Sequence, residues 1–279
     1  MRCKALSAAA ARLAAVSDTP RLDAELLMAH ALGVSRDALL LDGFAGEMPD
    51  GFAALIDRRL SHEPIAYIVG RRAFWTVEIA VGPGALIPRP DSEVLIESAT
   101  KHFAGAGPRR ILDLGVGPGT LLLAALAEFP SATGIGVDAS DIALDLARHN
   151  ATTLGLADRA AFRLGDWAEG IDERFDLVLC NPPYVEDAAE LPRDVSAHEP
   201  ATALFAGPDG LDAYRRIVPD LPRLLAPGGM IAVEIGHTQG AAVQALFAAA
   251  GMDSEVRRDL AGRDRAVVHF ALGKPGPNA

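Results

Sequence analysis

Apolar and polar positions change their period along this chain, and each change predicts a different kind of structure. About the first 70 residues repeat as helices do. In LDAELLMAHALG, Leu22, Leu26 and Ala29 fall at i, i+4 and i+7, with Gly33 placed to end the helix. A second stretch opens with Pro49 and Asp50, puts Phe52, Leu55, Ile56 and Leu60 on one face and stops before Pro64. No strand signal occurs in this part. From Ala73 the pattern alternates, FWTVEIAV followed by GPGALIPRP, which predicts a short hairpin or an extended linker.

Beyond the linker, apolar runs alternate with helical spacing. The runs are ILDL (111–114), GIGV (134–137), AAFRL (160–164), FDLVLC (175–180) and GGMIAVEIG (228–236). Strands separated by helices of this length predict parallel pairing, right-handed crossovers and helices on both faces. The expected fold class is therefore α/β, a doubly wound Rossmann-like sheet carrying a small N-terminal helical domain. The expected division is residues 1–72 helical, 73–90 hairpin linker, 91–273 sheet domain and 274–279 a Pro- and Gly-rich tail without order.

Composition narrows the field. At 279 residues the chain is long enough for two cores. No apolar run approaches the roughly 18–20 residues that a spanning helix needs, so an aqueous, cytoplasmic setting is expected. A formal charge of −11 repels phosphate and counts against broad nucleic-acid binding. A protein or small-molecule partner fits better. Cys3 and Cys180 lack CxxC spacing and the seven histidines form no HxxxH pair, so neither a disulfide framework nor a metal site is expected. The opening MRCKALSAAAARLAA, with Arg2, Lys4 and Arg12 before the first acid at Asp18, has the character of a transit peptide. Helical patterning runs on directly from it, which favours an Ala-rich first helix instead.

Asp113, Leu114, Gly115, Val116, Gly117, Pro118, Gly119 and Thr120 join a buried strand to a helix. Glycines at such a turn admit a ligand close to the backbone, and the helix start offers unpaired N–H groups to an anionic group. The next strand ends at Asp138, 19 positions after Gly119 (138 − 119 = 19), where a carboxylate can accept hydrogen bonds from a ribose diol. The other reading makes Asp138 the cap of the next helix. The glycines run GxGxG, not GxGxxG, which favours adenosylmethionine over a dinucleotide. At the end of the third strand, Asp166 can bond an adenine amine while Trp167 packs on the ring; the plainer alternative is a core tryptophan beside a turn.

FDLVLC runs straight into Asn181, Pro182, Pro183 and Tyr184. Two prolines remove two N–H donors and hold the backbone extended, leaving the Asn181 side chain and the Pro182 carbonyl as acceptors. Two acceptors match one planar NH₂ group. An amide nitrogen is a poor nucleophile because its lone pair is delocalised, and accepting both hydrogens orients it and favours density on nitrogen. Tyr184 can lie against the planar target with its hydroxyl left wet. Cys180 reads as a buried strand residue, since no histidine is near in sequence to activate it.

With these residues in place the chain resembles the release-factor glutamine methyltransferases (HemK/PrmC). The resemblance runs from PIAYIVGRRAFW (64–75) and LIPRPDSE (86–93) through DLGVGPGT, Asp138, GDW and NPPYV. It continues in HEPATALFAGPDGLDAYRRI (198–217), LLAPGGMIAVEIGHTQ (224–239) and AGRDRAVV (261–268). It implies a helical domain that helps dock a peptide-chain release factor and a catalytic domain that methylates the glutamine of its Gly-Gly-Gln loop. It also implies S-adenosyl-L-methionine held by Gly115 to Gly119, Asp138, Trp167 and Asn181, with the glutamine received by Asn181 to Tyr184. Val116 and Pro118 depart from the small hydroxyl residues usual in that loop, and Pro118 removes one N–H. Arg89, Asp91 and Glu93 stand near the expected mouth, and Glu199 and Glu234 either orient the NPPY loop or satisfy backbone donors. Rival targets are a ribosomal-protein glutamine or a nucleobase amine; the non-enzymatic rival is a release-factor-binding module without cofactor affinity.

Overall fold

Helix-forming residues dominate the amino-terminal unit, which comprises Met1–Arg71 together with Leu191–His198. The computed structural model describes residues 2–44 and 46–273; the tail expected at 274–279 lies outside them. Helices run over Arg2–Leu13, Pro20–Leu32, Arg36–Leu41, Phe52–Leu60 and Ile65–Val69, with a single turn at Arg193–Ser196. Arg2–Leu13 is the Ala-rich first helix, burying Leu6, Ala9 and Leu13. Phe52 and Ile56 face the core as their spacing predicts. The phase expected for the second helix holds only in part: Ala29 is buried and Leu26 half-buried, but Leu22 is 38% exposed, and the rest of the buried apolar stripe is Ala24, Leu27 and Met28. The reason is electrostatic. Asp23 and Glu25 are buried on that helix because Arg59 lies 2.9 Å from Asp23, and Arg21 and Arg36 lie 2.7 and 2.8 Å from Glu25. Paired carboxylates can occupy positions that a hydrophobicity pattern assigns to solvent.

The second unit comprises Arg72–Glu190 and Glu199–Ala279. The segment expected as a linker belongs to it. β1 (Arg71–Phe74) and β2 (Val77–Ala80) form a hairpin whose turn residue Trp75 has φ +51°. Its indole N–H donates to Glu128 and its backbone N–H to Glu93, both at 2.9 Å, which fixes the turn.

The main sheet contains β3 (Arg110–Leu114), β4 (Thr133–Asp138), β5 (Ala160–Leu164), β6 (Phe175–Cys180), β7 (Leu225–Glu234), β8 (Glu255–Arg258) and β9 (Asp264–Phe270). Their order is β5-β4-β3-β6-β7-β9-β8. The first five pair in parallel, as the alternation of strands and helices predicts. β9 runs antiparallel to β7, and β8 antiparallel to β9. These two strands are a correction to the all-parallel expectation: a short hairpin around Asp259–Gly262 returns the chain beside β7, so no helical crossover is required. The strand order reverses at the carboxyl ends of β3 and β6, which is where an open sheet of this kind collects its ligands.

Candidate active site

Three glycines carry the turn from β3 into the helix Thr120–Glu128. Gly115, Gly117 and Gly119 have φ of +73°, +55° and +92°, conformations that side chains resist. The N–H groups of Gly115 and Val116 both donate to the Val137 carbonyl at 2.9 Å, so the turn is stitched to the end of β4. Val116 is buried against Gly136, where a Cβ would come within 2.6 Å of it. The Pro118 carbonyl accepts from Asn150 Nδ2 at 2.8 Å, and Asn150 also exchanges two hydrogen bonds with Ala80. The two residues unusual for this loop are therefore accommodated by packing and by one buried asparagine.

Asp138 closes the turn from the other side. Its carboxylate accepts from Gly117 N at 2.8 Å and from Ser140 N at 2.9 Å. Ser140, not Asp138, caps the following helix, with its hydroxyl 3.3 Å from Ala143 N. Asp113 is fully buried beneath the turn. One oxygen accepts from Leu122 N at 3.0 Å; Oδ1 has no hydrogen-bond partner among the described residues. Burial, and then the negative charge of Asp138, push its carboxyl up to about 8. A cleft opens beside Asp113 between Leu86–Arg89, the glycine turn and Asn181. A roomier opening at the amino ends of β3, β4 and β5, bordered by Arg110, Thr133 and Asp158, lies at the sheet edge remote from every motif above.

Asp166 and Trp167 part company in the structure. The Trp167 ring crosses Gly115, 3.1 Å from where a Cβ would stand, and so covers the carboxyl end of β3. Asp166 is half exposed and its carboxylate pairs with Arg216 on the helix Asp212–Ile217.

The NPPY segment leaves β6 beside the glycine turn, the Asn181 carbonyl lying 3.9 Å from the Cβ position of Gly115. Asn181 Nδ2 donates to Ser92 Oγ at 3.4 Å, which directs its carbonyl oxygen elsewhere. Neither that oxygen nor the Pro182 carbonyl accepts a hydrogen bond from the described residues. Tyr184 differs from expectation. Its hydroxyl is not left to water but donates to Glu234 Oε1 at 3.2 Å, and burial followed by the Glu234 charge raises its pKa. The Tyr184 carbonyl accepts from Gln239 Nε2 at 3.0 Å. Gln239 also donates to Gly210 O at 3.1 Å and accepts from Gly236 N at 3.0 Å and the Tyr214 hydroxyl at 3.3 Å. Cys180 is buried, and burial raises its thiol pKa well above the ordinary value, so it is no nucleophile.

Glu199 does satisfy a backbone donor. It accepts from Ile87 N at 3.0 Å and pairs with Arg89, fixing the LIPRP segment at the cleft. Asp91 pairs with Arg265 at 3.2 Å, and Glu93 holds the hairpin turn. Ser92, Asn150, Gly210 and Gln239 were not singled out by sequence reasoning. Their signal is the set of polar contacts to the glycine turn and the NPPY segment, which only the folded chain reveals.

Comparison with known proteins agrees with this fold. Residues 108–258 match the family described as methyltransferase domain, and residues 4–70 match the PrmC N-terminal domain. Among solved structures, a methyltransferase from Pyrococcus furiosus superposes with a TM-score of 0.52 at 14% identity, over 70% of this chain and 89% of that one. A ribosomal protein L11 methylase from Lactobacillus delbrueckii subsp. bulgaricus gives 0.50 at 17% identity, over 68% and 82%. These two likenesses concern the fold. The sheet order, the glycine turn and the family match define a Rossmann-like methyltransferase. The release factor glutamine methyltransferase of Caulobacter vibrioides is 46% identical over 274 residues, covering 95% of this chain and 94% of that protein. That of Moorella thermoacetica is 39% identical over 276 residues, covering 96% and 97%. The chain belongs to the release factor glutamine methyltransferase family.

Proposed function

We propose that this protein transfers a methyl group from S-adenosyl-L-methionine to the side-chain amide nitrogen of the glutamine in the Gly-Gly-Gln loop of a peptide-chain release factor. The residues of the cleft fit that donor. A fully buried carboxylate oxygen, Asp113 Oδ1, has no partner among the described residues, and a cationic amino-acid moiety is the kind of group that satisfies it. The Gly115–Gly119 turn allows close approach, Asp138 stands at the end of β4 for a ribose, and Trp167 supplies an apolar face. When bound, the donor supplies a sulfonium methyl, an activated carbon needing no metal.

The observation that carries the reading is the pair of acceptors at Asn181 and Pro182, next to the glycine turn, that take no hydrogen bond from the described residues. The Asn181 oxygen and the Pro182 carbonyl accept the two hydrogens of the substrate carboxamide. That pairing turns the nitrogen toward the methyl donor and favours electron density on it. The Tyr184 ring lies against the planar group and excludes water. No strong base is required in the transfer step. Residues 1–72 serve as the substrate-docking domain. Among the described residues no helix is long and apolar enough to cross a membrane, and we place the reaction in the cytoplasm, where release factors work.

The test is mass spectrometry of a release factor incubated with the protein and S-adenosyl-L-methionine. A gain of one methyl on the Gly-Gly-Gln glutamine is expected, and none when that glutamine is alanine. Methylation persisting on the altered factor overturns the assignment.

A further inference from the structure

Glu234 has no part in the reaction as described, yet it is 1% exposed at the end of β7, behind the NPPY turn. Burying a carboxylate is costly unless every lone pair finds a partner. Oε1 accepts the Tyr184 hydroxyl at 3.2 Å; Oε2 has no partner among the described residues. The groups facing it come from every neighbouring element. Arg265 on β9 attracts it and is itself shared with Asp91 and Asp259, each 3.2 Å away. Asp91 repels it from the turn Pro90–Ser92, and the Ser92 hydroxyl favours its charge. Cys180 on β6 lies within its field, and the Tyr214 hydroxyl holds its backbone carbonyl at 3.0 Å.

Two of these neighbours connect Glu234 to the substrate loop. Tyr184 does so directly. Asn181 does so through Ser92, which receives the Asn181 Nδ2 hydrogen bond at 3.4 Å. A side chain needed only for packing here is better served by glutamine or methionine, which carry no buried charge.

We infer that Glu234 is a positioning residue for methyl transfer, acting through the Tyr184 hydroxyl to hold the Tyr184 ring against the substrate carboxamide. The inference rests on the reading of the NPPY segment given above. A hydrogen bond to an ionised acceptor is about twice as strong as one to a neutral group, so the ionised carboxylate grips the phenol harder than the acid does. Burial raises the Glu234 carboxyl to about 7, against the opposing pull of Ser92, Arg265 and Tyr184. The grip therefore changes strength across neutral pH.

The experiment uses the full chain with S-adenosyl-L-methionine and a release factor, in single-turnover methylation from about pH 6 to 9. Wild type, Glu234→Gln, Tyr184→Phe and the double variant are compared. The wild-type rate is expected to rise through a titration near neutrality, and that limb is expected to vanish in both single variants. Each single change lowers the rate about tenfold, and the double variant is no slower than the slower single one. Calorimetric affinity for S-adenosyl-L-methionine stays unchanged, and the unfolding midpoint of Glu234→Gln is not lowered.

A Glu234→Gln enzyme with the wild-type rate and pH limb overturns the inference. So do losses that multiply in the double variant, or a limb that persists in Tyr184→Phe; the last arm decides alone if Glu234→Gln does not fold. A wild type that binds S-adenosyl-L-methionine but leaves the release factor unmethylated overturns the substrate reading, and this inference with it.

Discussion

Replacing Gln239 with leucine removes four hydrogen bonds with little change in volume. The Tyr184 and Gly210 carbonyls lose their donor and the Gly236 N–H loses its acceptor, whereas the Tyr214 hydroxyl keeps the Glu234 carbonyl at 3.0 Å. Gln239 is 8% exposed, so water does not readily replace it. At about 1 kcal/mol for each stranded group, the low end of the usual range, the loss is roughly 3 kcal/mol. In a folding unit of about 200 residues, 1 kcal/mol moves the midpoint by roughly 2–4 °C, so the expected fall is about 6–12 °C. The assay is selective, because the chain's two tryptophans, Trp75 and Trp167, both lie in the sheet unit. Their fluorescence reports that unit's unfolding without interference from the helical one. Turnover should also fall about tenfold, since the Gln239 hydrogen bond to the Tyr184 carbonyl anchors the segment proposed to receive the substrate. A midpoint within about 3 °C of wild type would show that the Gln239 hydrogen bonds carry far less than about 3 kcal/mol.

Three further outcomes are expected. Asn181→Ala should reduce kcat by about 10²–10³ while changing S-adenosyl-L-methionine affinity much less, measured by single-turnover methylation and calorimetry. Arg59→Leu strands the buried Asp23 and takes a donor from the Val16 carbonyl, at a cost of about 3–5 kcal/mol read by far-ultraviolet dichroism during denaturation; replacing Asp23 with leucine as well should recover most of it. Asp113 and Glu234 have raised native pKa values, about 8 and about 7, against ordinary values of 3.8 and 4.5. The native state thus holds protons that the unfolded chain has released, and these groups make the sheet unit more stable as pH falls from about 8 toward about 5. Glu234→Gln should flatten part of that slope in tryptophan-monitored denaturation, and parallel wild-type and variant curves would refute it.

Much of this fold was legible because its central strands are continuous apolar runs buried on both faces. ILDL, GIGV and FDLVLC fall within β3, β4 and β6. β8, with the sequence EVRR, escaped notice because an edge strand half open to solvent carries no such run. The phase of the second helix was legible only in part for a different reason: Asp23 and Glu25 occupy interior positions because Arg59 and Arg36, remote in sequence, reach them beside the local Arg21. The candidate site divides similarly. The glycine turn and NPPY segment are contiguous motifs and could be read directly. Their supports, Asn150 for the glycine turn and Ser92, Gly210 and Gln239 for the NPPY segment, come from separate segments and acquire meaning only when folding brings them there. At Asp166 the position by the third strand points to a ligand contact, and the folded chain adds a partner that spacing does not reveal, Arg216, fifty residues on, which pairs with its carboxylate.

Leu191–His198 clusters with the helical unit although the chain on both sides belongs to the sheet unit. Leu191 follows Tyr184 by only seven positions (191 − 184 = 7), and Asp194 lies 3.7 Å from the buried Arg59 guanidinium. The polypeptide thus visits the first unit twice, so scissors placed after Arg71 do not separate two self-sufficient pieces. A fragment starting at Arg72 would carry an eight-residue excursion stripped of its companions, tethered a few residues downstream of the Asn181–Tyr184 segment. Anyone seeking a minimal catalyst by trimming the front of this molecule must redesign that excursion too.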